Sequence, residues 1–339
     1  MTKKTNNQAP NLSGKRELEV ASKLDVKGAI SLDGNKYVKA RKRGKTAFIP
    51  YSEFMPGGQI SKYLRQQNLI LTGPHYRELV HQVDDLKSFT RAPLLEHPGW
   101  TDGYFALPCG TVMSPPDRSK GRAIFARLPE KCAKGGDGPA WRDEVAGLVA
   151  NQPLPAFLLM AAFAAPLLRL TNRADNFGFE VVGEGATGKT TILRLVSTTA
   201  GAGRDAGEGV YWQTLGSTLA GLETSMQRHQ DLPMILDEAS LFMPKEGQRD
   251  RAASMVGLAF QLGSGHPRAR WGDPQPVQYR FIWIVSSNEP ASQTMQGNSH
   301  EREAAALDRL LTLPLPEGGQ GVFDSVPQPF ESGAEFAAA

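Results

Sequence analysis

Four side chains in this sequence have the types and spacing to handle a phosphate chain and a divalent metal: Lys189, Thr190, Asp237 and Glu238. The first two close the run Gly183-Glu184-Gly185-Ala186-Thr187-Gly188-Lys189-Thr190-Thr191, which has the G-x-x-x-x-G-K-[ST] spacing of a Walker A loop. A loop that wraps a triphosphate turns its backbone N–H groups inward through dihedrals that a Cβ forbids, which is the reason for its glycines. Lys189 would reach the β- and γ-phosphates and Thr190 would ligate Mg²⁺, while the helix expected to open there adds its N-terminal partial charge. About 50 residues further on, the apolar run Pro233 to Leu236 ends in Asp237-Glu238, the form of a Walker B motif. A carboxylate at a strand's end lies where Asp237 can hold Mg²⁺ through water, and Glu238 beside it can orient and deprotonate an attacking water. The expected ligands are ATP and Mg²⁺.

Such residues come together only if strands and helices alternate so that the loops gather at one edge of a parallel sheet. The sequence alternates in that way. Phe179 to Val182 reads as a strand before the loop, and Ile192, Leu193, Leu195 and Val196 form a helical stripe after it, with Gly201 as the stop. Val210 to Leu215 is a strand candidate, Ser217 to His229 a helix and Arg251 to Leu262 another helix. The apolar strand Phe281 to Val285 leads into Ser286-Ser287-Asn288, and Ala304 to Arg309 precedes a last strand at Leu310 to Leu315. The pattern predicts an α/β fold, a P-loop NTPase (AAA+-like) core with a parallel sheet over residues 151–316, preceded by a small α+β domain over 27–150. In that first domain, Tyr37 to Lys42 and Thr46 to Pro50 read as a β-hairpin around Arg43-Gly44. Ile60 to Gln67 and His75 to Leu86 look helical, and Tyr104 to Leu107, Gly110 to Met113 and Ala123 to Leu128 read as short strands. Residues 121–140 read as a loop leading to a helix at Trp141 to Val149. Residues 1–26 lack a clear period and read as a disordered basic arm. The Gly-, Pro- and Ala-rich stretch 317–339 reads as a disordered tail, with no helical lid.

Composition narrows the classes. With 339 residues, 40% hydrophobic and 22% charged, the chain can bury a sizeable core. The net charge of +3 hides an asymmetry: residues 1–50 carry 12 Lys/Arg against 4 Asp/Glu. The hairpin bears Lys36, Lys39, Arg41, Lys42, Arg43 and Lys45, which suits either a phosphate backbone or a solvated surface. Cys109 and Cys132 lie far apart without C-x-x-C or His spacing, which argues against a zinc site and against a disulfide framework and makes a reducing compartment the default. The start MTKKTNNQAP has no apolar signal core, so the expected location is cytoplasmic. Leu154 to Leu170 is broken by Pro155 and Pro166 and short for a bilayer, so it reads as a buried helix and no membrane is expected as partner.

Taken in order, Gly99-Trp100, Tyr104-Phe-Ala-Leu-Pro-Cys-Gly, the helix ending Leu-Leu-Arg-Leu, the glycine-rich loop, Gly221-Leu-Glu and Leu236-Asp-Glu resemble the domain of unknown function 927 family over roughly residues 30–315. The resemblance implies a replication ATPase of phages or mobile elements, a class often found beside primase modules and usually taken as helicases. The strand ending near Asn288 resembles the sensor-1 arrangement of additional-strand P-loop ATPases, where a polar side chain positions the attacking water. Asn288 is the first candidate and Ser286 or Ser287 the alternative. An arginine just before the last strand of that class often projects into a neighbouring subunit, which makes Arg309, or else Arg302, the finger candidate and implies a homo-oligomer, a hexameric ring. Arg268, Arg270 and Trp271 precede the sensor strand as the pore hairpin does in superfamily 3 helicases, so they are candidates for DNA contact, with a solvated hairpin as the alternative. Two functions remain open: a ring-forming DNA helicase or translocase, and an ATP-dependent switch or loader that does not translocate. A small-molecule kinase fits less well, because Glu238, Asn288 and Arg309 suit water as the acceptor.

Overall fold

Apolar runs of five to seven residues build the centre of this molecule, and their alternation decides which helix covers which face. The computed structural model describes residues 23–116, 122–126, 137–171, 175–201, 211–214, 219–238, 251–266, 278–315, 322–326, 328–329 and 331. The chain divides into two compact units, residues 1–96 with 115–128, and residues 97–114 with 129–339. Residues 97–114 and 129–150, grouped by sequence with the N-terminal domain, therefore cluster with the unit that carries the glycine-rich loop.

In the first unit, strands β1 (Asp25–Ile30), β2 (Lys36–Lys42), β3 (Lys45–Pro50) and β4 (Phe89–Arg91) form a sheet in the order β3-β2-β1-β4. Helices α1 (Ile60–Gln66) and α2 (Gly73–Asp84) cover one face, where Val38, Ala40, Ala47 and Ile49 pack against Ile60, Leu64, Leu79 and Val83. The hairpin lies where the sequence puts it, turning at Arg43 with φ +50° and Gly44. Strand β1 begins inside the stretch expected to be disordered, and residues 1–22 lie outside the described residues. The Gln67 amide caps the edge strand, accepting from Phe48 N at 2.9 Å and donating to Phe48 O at 2.8 Å. On the other face, Leu94 of β5 (Leu94–Leu95) and Ala126, just past β9 (Ile124–Phe125), close over Ala29, Tyr37 and Phe48.

The second unit opens with β6 (Gly99–Thr101), β7 (Tyr104–Ala106) and β8 (Val112–Met113), an antiparallel meander. Its main sheet is parallel throughout and runs β11-β12-β13-β10-β14, comprising β10 (Phe177–Val182), β11 (Gln213–Thr214), β12 (Leu232–Asp237), β13 (Phe281–Ser287) and β14 (Leu310–Pro314). Strands buried on both faces read as continuous apolar runs, and β13 shows the consequence of period two. Ile282 and Ile284 face one layer, with α3 (Pro153–Ala164) and α4 (Lys189–Ser197). Phe281, Trp283 and Val285 face the other, with α5 (Leu219–Arg228), α6 (Arg251–Ser264), α7 (Ala291–Thr294) and α8 (His300–Leu307).

Two expectations are corrected. The helix predicted to be buried packs Leu158, Leu159, Ala162 and Ala165 into the core but leaves Phe157, Met160, Phe163, Leu167 and Leu170 exposed. It is apolar all round, so hydropathy could not say which stripe faces inward. By length and composition alone, Pro153–Thr171 would be apolar enough to cross a membrane. The tail expected to be disordered holds a packed segment: Val322 and Phe323 are each 3% exposed within the core beside α3 and α4.

Candidate functional site

The glycine-rich loop leaves β10 and returns as α4, whose first backbone N–H groups have no partner within the helix. Gly188 takes φ +85°, a left-handed conformation at the loop-to-helix corner that a side chain would strain, and Ala186 takes φ +62°. Thr187 Oγ1 donates to Glu184 O at 2.8 Å and tightens the turn. Lys189 is buried and folds under the loop, its ammonium donating to Gly183 O at 2.7 Å and Glu184 O at 2.5 Å. Burial pushes the Lys189 ammonium below its ordinary value, and the Glu238 and Asp237 carboxylates oppose that shift. Glu184, Gly185 and Ala186 are exposed at the crest.

Facing the loop, β12 ends in Asp237. Its two oxygens are shared between neighbours: Oδ2 accepts from Thr190 Oγ1 at 3.0 Å and Oδ1 from Ser286 Oγ at 2.5 Å. Ser286 Oγ in turn accepts from the backbone N–H of Glu238 at 2.9 Å. Glu238 holds φ +62°, an uncommon conformation for a residue with a side chain, at the position expected from the sequence to handle water. The structure thus brings Lys189, Thr190, Asp237 and Glu238 to one loop cluster. Among the sensor candidates Ser286 touches Asp237, whereas Asn288 is exposed two residues further and Ser287 Oγ bonds Glu289 O. Strand phase sets Ser286 apart from Ser287, since Ser286 lies on the face of Ile282 and Ile284, and the end of β13 at Ser287 leaves Asn288 beyond the strand. A hydroxyl and a carboxylate at hydrogen-bond distance form an oxygen-rich donor set suited to Mg²⁺.

Glu180 was not foreseen by sequence reasoning. It sits in the middle of β10 with no exposed area, its Oε2 accepting from Ala291 N at 2.9 Å and Thr312 Oγ1 at 3.1 Å. Desolvation raises its carboxyl above the ordinary value against the pull of those hydrogen bonds. The carboxyl joins the segment after β13 and strand β14 to the strand that feeds the loop. The tail segment is the second unforeseen part. Val322 N donates to Thr187 O at 3.0 Å, and Gln152 binds the next residues, accepting from Asp324 N at 2.8 Å and donating to Ser325 O at 2.8 Å.

Arg309 lies just before β14, at the strand end opposite the loop of its own sheet. Its guanidinium bonds Ala305 O at 2.5 Å and stacks 5.1 Å from the Phe260 ring centroid. Arg302 is exposed on α8. Arg268, Arg270 and Trp271 lie outside the described residues. Cys109 is a free thiol, and Cys132 is not among the described residues.

The opposite end of the sheet explains Gly99-Trp100 and the arginine of Leu-Leu-Arg-Leu. Asp231, fully buried just before β12, takes the Trp100 backbone N–H on Oδ2 at 3.0 Å and has Arg169 Nη1 at 3.6 Å. A Cβ on Gly99 would stand 2.3 Å from Gln230 O, so glycine is required for this approach. Arg169 also donates to Trp100 O at 3.0 Å, and the indole N–H reaches Pro166 O at 2.9 Å.

Fold and site together define an α/β protein with a glycine-rich loop braced at the carboxyl edge of a parallel sheet. The chain belongs to the domain of unknown function 927 (DUF927) family, whose model matches residues 40–273 of 339. No curated protein matches the sequence. Among solved structures, the fold resembles an SCCmec type IV Cch active helicase, with TM-score 0.63, 16% identity, and coverage of 87% of this chain and 55% of that one. The chain therefore spans about half the length of that helicase. More distant overlaps occur with the apo A form of the NrS-1 C-terminal region (TM-score 0.33, 10% identity, 89% of this chain and 67% of that one) and with NtrX from Brucella abortus in complex with ADP (TM-score 0.28, 13% identity, 54% and 37%).

Proposed function

We propose that the chain is a P-loop NTPase of the AAA+-like, additional-strand type that hydrolyses ATP and drives a ring-forming DNA helicase or translocase of a phage or mobile element. The observation that carries the reading is the bonded chain Thr190–Asp237–Ser286–Glu238 set against the Lys189 loop. The position of β13 between β10 and β12 supports the additional-strand class. The loop N–H groups and Lys189 bind the phosphates, the ammonium exchanging its carbonyl partners for phosphate oxygens. Thr190, and Asp237 through water, would hold Mg²⁺, which would neutralise charge on the phosphate oxygens. Ser286 fixes both Asp237 and the backbone of Glu238. The Glu238 carboxylate takes a proton from water as its oxygen attacks the γ-phosphorus, the bond to the bridging oxygen breaks, and ADP and phosphate leave.

Arg309 faces away from its own loop, so its use as a finger requires a second copy, consistent with a homo-oligomer such as a hexamer in the cytoplasm. DNA contacts are assigned to Arg268, Arg270 and Trp271, and a primase or other replication protein is the partner class that fits. A second reading, an ATP-dependent switch or loader, draws support from the tail: Val322 is bonded to the loop itself, an arrangement suited to reporting nucleotide state. Phosphate release measured with and without single-stranded DNA, together with particle mass by mass photometry, tests both. DNA-stimulated turnover by a ring supports the motor. Unstimulated turnover supports the switch, and absence of any turnover with Mg²⁺-ATP sinks both.

A further inference from the structure

Within the first unit, Lys27 stands directly across from Lys39 in the β1–β2 pairing, and Lys42 across from Lys45 in the β2–β3 pairing. Like charges facing one another across a sheet destabilise it. The sequence accepts that cost twice in a stretch, residues 25–50, that holds seven Lys/Arg against two Asp. Asp25 stands 3.6 Å from Lys27 and is itself about half exposed, which leaves the row cationic. Strand alternation puts Lys27, Lys39 and Arg41 on the face away from α1 and α2, since Ala29, Tyr37 and Phe48 of that face belong to a separate cluster. Phe48 lies across from Lys39, with the ammonium 6.0 Å from its ring centroid. Beside this pair opens a groove of about 320 Å³, walled by Ile124, which is 46% exposed, and reaching the small part of Phe48, 6% of its surface, that Leu94 and Ala126 leave uncovered. Gln66 and Asn68, both exposed, stand at its rim.

We propose that this face is a binding site for single-stranded nucleic acid, with phosphates along Lys27, Lys39 and Arg41 and a base seated against Ile124 beside the uncovered part of Phe48. The cations answer the polyanion, and binding relieves the Lys27–Lys39 pairing, the one of the two like-charge pairs that lies on this face. An apolar floor between cations and free amides suits an unpaired base, because the faces of bases in a duplex are already stacked. The inference rests on the nucleic-acid half of the proposed function and is independent of its nucleotide half.

The test uses the full chain and a fluorescein-labelled oligo(dT), followed by anisotropy at several salt concentrations. Lys27→Glu with Lys39→Glu should weaken binding by about tenfold or more at low salt and flatten the salt dependence, by about 0.7 in logarithmic slope for each phosphate that the protein no longer neutralises. Lys39→Glu alone faces Lys27 with an opposite charge, so its thermal midpoint should hold or rise, which separates impaired binding from impaired folding. Ile124→Asp should weaken binding to oligo(dT) more than to an abasic strand of the same length, reading the base seat. Equal affinity and equal salt slope for the double variant and the parent overturn the proposal, as does binding of duplex DNA with the same affinity and the same losses. A parent chain that hydrolyses ATP yet binds no oligo(dT) removes this site and the DNA half of the function together. A parent that binds oligo(dT) through these lysines but hydrolyses no ATP leaves the site standing and removes the nucleotide half.

Discussion

Strand β12 has a carboxylate at each end, and the two differ in what surrounds them. Asp237, at the carboxyl end, is partly exposed and is held by the hydroxyls of Thr190 and Ser286. Asp231, just before the amino end, has no exposed area and is held by the Trp100 backbone N–H and by Arg169, with its Oδ1 unpartnered. Hydroxyls can turn and accept a new partner; a backbone N–H locked by close packing at Gly99 cannot. In the proposed reading the same residue type therefore serves ligand chemistry at the loop end and cohesion at the floor. The surroundings decide, because exchangeable partners on a partly exposed carboxylate can give way to a ligand, whereas a fully buried carboxylate with fixed partners lies out of a ligand's reach.

The comparison breaks most readily at the loop end. Lys189→Ala is expected to abolish tight ATP binding, and Glu238→Gln to keep binding while slowing turnover by about a hundredfold or more, because in the proposed mechanism one side chain acts on ground-state phosphate and the other on the reacting water. Nucleotide fluorescence and phosphate release separate the two effects. Turnover at the parent rate in Glu238→Gln would remove Glu238 from the water-activating role. Neither change should lower the thermal midpoint by more than a few degrees.

At the floor the dissociation should reverse. Asp231→Ala leaves the Trp100 N–H buried without an acceptor and Arg169 without its carboxylate, an expected loss of about 2–4 kcal/mol. Asp231→Asn, which keeps an acceptor, should cost less. Denaturant midpoints read this directly, and nucleotide affinity of the folded fraction should stay within about twofold of the parent. Asp237→Asn should do the opposite, losing Mg²⁺-dependent turnover with little change in midpoint. If both substitutions damage both properties equally, the two ends are not separable.

The floor also carries a pH signature. His229, fully buried at the end of α5, is pushed down to about 4, first by desolvation and also by Arg228, against hydrogen bonds to the Ser225 and Tyr211 backbone. Because its folded value is depressed below 6.5, its contribution is complete above that pH and is lost as pH falls toward 4. That loss reaches about 3 kcal/mol. Desolvation raises Asp231, so its stabilising share has the opposite sign: present at low pH and lost as pH rises through its folded value. Midpoints recorded from pH 7 to 4 should fall for the parent and fall less for His229→Gln. Parallel curves would exclude His229 as the source.

How much of this was legible in sequence follows from the range of each interaction. The loop, Asp237 and Glu238 could be read because a local run of chain dictates them, and the helices and long strands because periodicity does. The sheet order could not, since β10, β12 and β13 pair across roughly 50 to 100 residues. Asp231 and Trp100 lie 131 positions apart, so Gly99-Trp100 was visible only as a motif without a reason. Ser286 is one of three candidates in sequence, and it takes both the phase of β13, against Ser287, and the end of that strand, against Asn288, to single it out. The apolar helix at Pro153–Ala164 and the packed tail were misread for a shared cause: composition averages over a stretch and does not say which side chains point inward. The expected pore residues 268, 270 and 271 lie outside the described residues.

The smallest expected effect sharpens the boundary of the loop end by asking whether the tail belongs to it. Gln152 is 5% exposed, and its amide is spent on the backbone and side chain of Asp324 and Ser325, 172 and 173 positions away. Those hydrogen bonds hold Val322 where its N–H meets Thr187 O, in the turn whose N–H groups are proposed to bind phosphate. A carbonyl fixed from outside restrains the peptide plane that it shares with the Gly188 N–H, so losing the clamp should loosen the loop while every ligand-binding group stays in place. Gln152→Ala removes a hydrogen-bonded amide worth about 1 kcal/mol. Up to that amount passes to the loop, which predicts a weakening of ATP binding by about twofold to fivefold. The number of sites and the turnover at saturating ATP should be unchanged. The measurement is a titration of fluorescent ATP analogue into Gln152→Ala and the parent, with thermal midpoints recorded alongside. Unchanged affinity with a lowered midpoint assigns Gln152 and the tail to cohesion, like Asp231; weakened affinity at an unchanged midpoint makes them the outer wall of the site that Asp237 faces.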